Sequence, residues 1–309
     1  TSEFNRGKMD DLVSLLTGRN FETREFEAEI QEDTFKRLEK SLLKFTNELN
    51  FKKFIMIIRS TGFIDSSLIN SRATINFAYV VYLKLRDLNV SQSEIESFVR
   101  KWFVMSILTG RYSTSPESTF DADIKSISKD YQKHLKYVED TELSEAFWSV
   151  ALVSELEKSN PTSPYLNTFF ASQVKENDRG FLSTNITIRD MVEERGDLHH
   201  IFPKAYIKKT FNNKKDYNQI ANLVYAQSEI NSSIKDTPPI EYFAVVLKQC
   251  DGGSVKYGGI TDRKTLKTNM DQNCIPESIF NMSVEHYHEF LKERRELMAK
   301  KIKNYYNNL

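Results

Sequence analysis

Two stretches decide the reading of this chain: DLHHIFPK at residues 197–204 and YNQIANLVYAQSEINSSIKDTPP at residues 217–239. Thr187 and Asp190 have the spacing of a capping box, and Gly196 sits where the short helix they open would end. DLHHIF then starts a strand, IANLVYA (220–226) is a second β-prone run, and Ser228 is placed to cap a helix running toward Pro238-Pro239. The order is strand, long loop, strand, helix. From 198 to 215 there is no acid, while Lys204, Lys208, Lys209, Lys214 and Lys215 make that loop basic.

Upstream the pattern changes. From about residue 10 to 160 Gly and Pro are scarce, and apolar residues recur three and four apart, as on one helical face. Leu38, Leu42, Phe45 and Leu49 form one such series, and Phe77, Val81, Leu85 and Leu88 another. Ile95, Phe98, Val99, Trp102 and Met105 make a third, and Leu143, Phe147, Val150 and Ala151 a fourth. In TGRYSTSPES (109–118), Ser115 is read as an N-cap and Pro116 as a first-turn proline. Arg111, Tyr112, Glu117 and Asp121 are read as a polar cluster that caps this loop, with a weaker case for a link to a sensor. SNPTSP (159–164) marks the seam between a helical linker domain, 1–160, and a second domain, 161–309. GGSVKYGG (252–259) must be a loop. The last helix is marked by Phe290, Leu297, Met298, Ile302 and Tyr305, with Lys292, Arg294, Arg295, Lys300, Lys301 and Lys303 on a basic polar face.

The bulk numbers narrow the class. At 309 residues the chain can hold two cores, and 39% hydrophobic with 28% charged residues is a globular composition. Lys plus Arg and Asp plus Glu both number 43, so any polyanion site must be local. No apolar run has membrane length and no signal peptide is visible, so the chain is expected to be cytoplasmic, without a membrane partner. Cys250 and Cys274 are too few for a four-thiolate zinc site. The sequons at Asn89, Asn185, Asn231 and Asn281 carry no meaning without secretion. Phosphate-cradling, nucleophile-elbow, dinucleotide and HExxH motifs are absent. His286 and His288 fall on different helical faces and are read as surface residues.

Phosphodiester hydrolysis needs an activated water, a Lewis acid and groups that hold both in line, and residues 197–239 offer candidates for each. The paired histidines followed by Ile-Phe-Pro, the Asn222-Leu223 pair and Asn231 resemble the HNH, or His-Me finger, nucleases in the form found at the C-terminus of GmrSD-type, modification-dependent (type IV) restriction endonucleases. FNRGKMDDL, NFKKF, LTGRYSTSPES and FLKERRELMAKKI are also similar to that family, so the resemblance spans nearly the whole chain. It implies a mainly α fold: an N-terminal helical domain, then a helical domain embedding a small ββα-metal nuclease motif.

The resemblance also implies roles. His200 corresponds to the general base, His199 and Asn231 to the metal ligands, and Asn222 to the strand residue whose amide braces the loop. Asp197 is read as a third ligand or supporting partner, or else a solvated turn residue; Asn218 is a candidate for the same hydrogen-bond network. The five loop lysines would contact DNA phosphates, or be ordinary solvated side chains. One divalent ion is implied, Mg²⁺ or Mn²⁺. Because His199 stands where many HNH proteins have an acid, the donor pair is neutral, and Co²⁺ or Ni²⁺ also come into question. The implied function is endonucleolytic cleavage of modified phage DNA, with an upstream nucleotide-binding sensor, marked by a DGQQR-like motif, outside this chain. Self-association stays open. The alternatives are a non-catalytic helical DNA-binding or scaffold module and an RNA-cutting toxin of the same chemistry.

Overall fold

Helix-compatible spacing and N-capping serines set most of the backbone. Ser71 accepts from the Thr74 N–H and Ser91 from the Glu94 N–H, opening the helices Arg72–Asp87 and Gln92–Leu108. The computed structural model describes every residue except Glu22, Arg195 and Asp197. It is mainly helical, with 65% helix and 3% strand. Among the described residues the strands are β1, Leu198–His200, and β2, Leu223–Tyr225. No described helix is long and apolar enough to cross a membrane.

The chain divides into two compact units. The first comprises Thr1–Ser60, Ser71–Ser144 and Leu309; the second comprises Thr61–Asn70 and Glu145–Asn308. The division therefore falls at 144/145 instead of 160/161, and SNPTSP lies inside the second unit. Hydrogen bonds explain why this polar stretch is no linker: the Ile220 N–H donates to Lys158 O at 3.0 Å and Asn218 Nδ2 to Ser159 O at 3.2 Å. The excursion 61–70 belongs to the second unit because Gly62, at φ +96°, lies against the helix Pro164–Lys175. A Cβ there would come within 1.9 Å of Ala171 O, and Asn167 Nδ2 donates to Leu68 O at 3.1 Å.

In the first unit Phe77, Val81, Leu85, Ile95, Phe98, Val99, Trp102 and Met105 are all buried, as their spacing predicts. Other expected faces are corrected. Leu42, Phe45 and Leu49 are 55%, 46% and 60% exposed, and Leu88 is also exposed. Val150 and Ala151 are exposed, because Phe147–Ala151 forms a π-helical turn that rotates the buried line to Trp148, Leu152 and Leu156. Pro116 does open its helix, Pro116–Glu142, but the Ser115 side chain makes no cap bond.

The expected polar cluster also reorganises. Asp123 accepts from Arg111 Nε and the Tyr112 hydroxyl, both at 2.8 Å, and its Oδ1 lies 3.0 Å from His134 Nε2. Trp102 Nε1 donates to the Tyr112 oxygen, and Arg111 also pairs with Glu142. Asp121 instead accepts from the Gly7 N–H at 3.1 Å.

In the second unit the capping box of Thr187 and Asp190 forms as read, and the Gly196 N–H donates to Met191 O. The buried amide of Gln249 ties down the glycine-rich loop, accepting from the Lys256 and Tyr257 N–H groups and donating to the Tyr257 and Ile260 carbonyls. The final helix, Tyr287–Asn307, buries Phe290, Met298, Ile302 and Tyr305. Leu297 turns outward, and Arg294, expected on the basic face, is fully buried.

Candidate functional site

β1 and β2 pair antiparallel, with Leu198 opposite Tyr225, His199 opposite Val224 and His200 opposite Leu223. Both strands are shorter than the β-prone runs that predict them. Ile201 and Phe202 turn away after His200, and Ile220–Asn222 forms a single 3₁₀ turn. Asn222 thus stands just before β2, a correction to its expected place on the strand. Gln227, not Ser228, precedes the helix Ser228–Ile234, and no side chain caps it. The segment runs strand, basic connection, strand, helix, in the expected order.

Asn222 is wholly buried, and its amide reads one residue twice: Oδ1 accepts from the Phe202 N–H at 2.8 Å and Nδ2 donates to Phe202 O at 2.9 Å. With the Ile201 N–H donating to Asn222 O, this fixes the chain immediately after the histidines. Phe202 is held from the other side by the rings of Tyr287 and Phe290, at 5.2 and 4.9 Å, and the Tyr242 hydroxyl donates to Ile201 O at 2.9 Å.

His200 is half-buried, with Nε2 at 3.2 Å from Asn218 Oδ1. The roles in this contact follow from the far end of the amide. Asn218 Nδ2 donates to Ser159 O, which can only accept, so Oδ1 faces the imidazole as an acceptor. Nε2 therefore carries the proton and Nδ1 keeps the lone pair. Burial pushes the His200 pKa below its ordinary 6.5; the Asn218 bond works against this, and Lys204 and His199 add to it. The ring is neutral at pH 7, the state a general base needs.

His199 is half-buried on β1, one residue before His200, and its Nε2 is shielded from solvent. Asn231 lies on the exposed side of Ser228–Ile234. Hydrogen bonds tie His200 to Asn218, and tie Asn222 to the chain just after the histidines. Among the described residues no three His, Cys, Asp or Glu side chains are grouped to hold an ion. A donor pair of imidazole nitrogen and amide oxygen nevertheless suits one borderline divalent cation completed by water. Asp197, the remaining ligand candidate, lies outside the described residues.

The basic connection is not irregular loop throughout: Lys204–Ile207 and Lys214–Tyr217 are single helical turns. Lys204 and Lys208 place their ammonium groups 5.5 and 4.8 Å from the Tyr217 ring centroid. Lys209 pairs with Asp236 at 3.1 Å, whereas Lys214 and Lys215 are exposed. Tyr217 adjoins Asn218, so the lysine pair and the partner of His200 share one short segment. His286 is exposed and its Nδ1 accepts from the Ser283 N–H; His288 packs on Phe211.

Comparison with known proteins returns no matching family model, no matching curated protein and no matching solved structure. The site is therefore read from its own chemistry.

Sequence reasoning missed Tyr217, Tyr242, the Lys158 and Ser159 carbonyls and Arg294. Only Arg294 left a signal: it stands four residues from both Phe290 and Met298, in line with Ile302, on the apolar face. The others act through one hydroxyl, one ring or a backbone carbonyl, which no spacing reveals.

Proposed function

We propose that this chain is a metal-dependent DNA endonuclease of the HNH type, the cutting part of a modification-dependent anti-phage restriction system. The observation that carries the reading is the Ser159–Asn218–His200 chain. It leaves a neutral imidazole whose other nitrogen takes no hydrogen bond among the described residues, on a strand whose following loop is braced by Asn222. His200 Nδ1 takes the proton of a water that attacks the scissile phosphorus, while one P–O ester bond breaks and its oxygen leaves with the electron pair. His199 and Asn231 would hold the divalent ion, which supplies Lewis-acid stabilisation of the phosphate charge. Lys204, Lys208, Lys209, Lys214 and Lys215 position the phosphodiester backbone without reading bases, and the neutral donor pair favours Mn²⁺, Co²⁺ or Ni²⁺ at least as much as Mg²⁺.

The test is cleavage of modified and unmodified phage DNA and of supercoiled plasmid, in a series of these four metals, by the chain and by His200→Ala. The substitution should slow cleavage by ~10²- to 10⁴-fold, the range of a lost general base. Cleavage at the parent rate would remove His200 from the role. A mobility shift with intact DNA in every metal would instead mark a binding module, and cutting confined to an RNA substrate would reassign the substrate.

A further inference from the structure

Arg294 is the most deeply placed charge in the second unit. It projects from Tyr287–Asn307 and is fully buried, yet every acceptor it meets is a backbone carbonyl. Nη1 donates to Ala221 O at 2.6 Å and to Leu223 O at 2.9 Å; Nε and Nη2 donate to Asn273 O at 3.4 and 3.2 Å. Among the described residues no carboxylate pairs with it. Burial brings its pKa down to about 10, with only Cys274 and Tyr242 working the other way.

A buried guanidinium without a counter-ion is an expensive way to fill a core, and apolar side chains of similar volume usually serve stability as well or better. What it does geometrically is specific. Ala221 and Leu223 flank Asn222, so a single nitrogen holds the carbonyls on both sides of the residue whose amide grips Phe202. The rigid planar fork reaches Asn273 at the same time, which a lysine ammonium could not reproduce.

We propose that Arg294 is a positioning residue for the nuclease site: by fixing the two peptides around Asn222 it sets the loop after β1, and through it the orientation of His200. This rests on the nuclease reading, since it assigns Arg294 to the same base.

The experiment compares the full chain with Arg294→Met and Arg294→Lys. Cleavage gives kcat and KM, and ¹⁵N-histidine NMR reports the tautomer and titration of His200. Arg294→Met should lower kcat by roughly 10- to 100-fold, as lost supporting contacts around a site do, with KM within about 2-fold, because the phosphate-contacting lysines are untouched. The His200 ¹⁵N pattern should move from the Nε2–H form toward a tautomeric mixture. Arg294→Lys should recover part of both. Parent kcat with an unchanged His200 spectrum in Arg294→Met would overturn the assignment. If that variant does not fold, Arg294→Lys decides: parent behaviour in both readouts overturns it, and an intermediate spectrum with reduced kcat supports it. Should the parent chain not cleave DNA, the nuclease reading fails on its own, and the NMR comparison still decides whether Arg294 orients His200.

Discussion

Each unit holds a polar cluster around a half-buried histidine, and the two are built on opposite principles. In the first, Asp123 is an anion whose oxygens are taken up by Arg111, Tyr112 and His134. Burial alone would raise its carboxyl pKa, but bonds from Arg111 and His134 hold it below the usual 3.8. In the second, His200 faces the neutral amide of Asn218, and among the described residues it has no carboxylate partner and no hydrogen bond to its other nitrogen. Saturation suits a structural knot, because an unmet charge in a core is costly. An uncommitted lone pair suits chemistry. A buried histidine therefore says little by itself; what its partners leave over separates the two cases.

The largest effect expected from testing this contrast is in the knot. Asp123→Ala leaves Arg111 with Glu142 alone, takes the acceptor from Tyr112 and His134, and should cost ~3 kcal/mol of stability, read by denaturant unfolding, with cleavage at low temperature unchanged. The stability that Asp123 contributes is fully present above pH 3.8 and is lost as the pH falls through its lower folded value. Acid unfolding should thus be steeper in the parent than in the variant. A loss below about 0.5 kcal/mol, the usual range for surface substitutions, would dissolve the contrast.

The next effect sharpens the other side. His200 must be neutral to act, so the acid limb of kcat/KM should lie below pH 6.5, with activity lost as the pH falls through the lowered folded value. Asn218→Asp, which puts an anion on Nε2, should move that limb upward by about one pH unit or more. An unmoved limb would show that Asn218 does not govern the base. The smallest effect belongs to the lysines: Lys204→Ala should weaken DNA binding evenly across sequences and reduce the slope of log affinity against log salt by about 1. A changed sequence preference with an unchanged slope would remove Lys204 from phosphate contact.

Much of this organisation is legible in the amino-acid sequence. The strand, basic connection, strand and helix follow from two β-prone runs and their punctuation, and the mainly α character from periodicity and scarce Gly and Pro. Asn222 reads from the sequence as a strand residue and stands instead in a 3₁₀ turn, which cannot be told from a strand start in a short apolar run. The charge of Arg294 points to the polar face, against its i, i+4 alignment with Phe290 and Met298. SNPTSP read as a seam because proline and small polar residues signal local backbone alone, whereas what holds them is remote: the Ile220 N–H and the Asn218 amide. The face of Phe147, Val150 and Ala151 failed for a geometric reason, as one π-helical turn breaks the period the reading assumes.

Three staples of the second unit, Asn222, Asn218 and Gln249, are primary amides, which neither gain nor lose a proton across the range in which cells vary. Acidification leaves these bonds intact and falls on the imidazole and on Asp178, whose carboxyl pKa is pushed up by burial to about 6. A mild drop in pH would therefore take the proton-accepting nitrogen from the hairpin while its amide bracing stays in place.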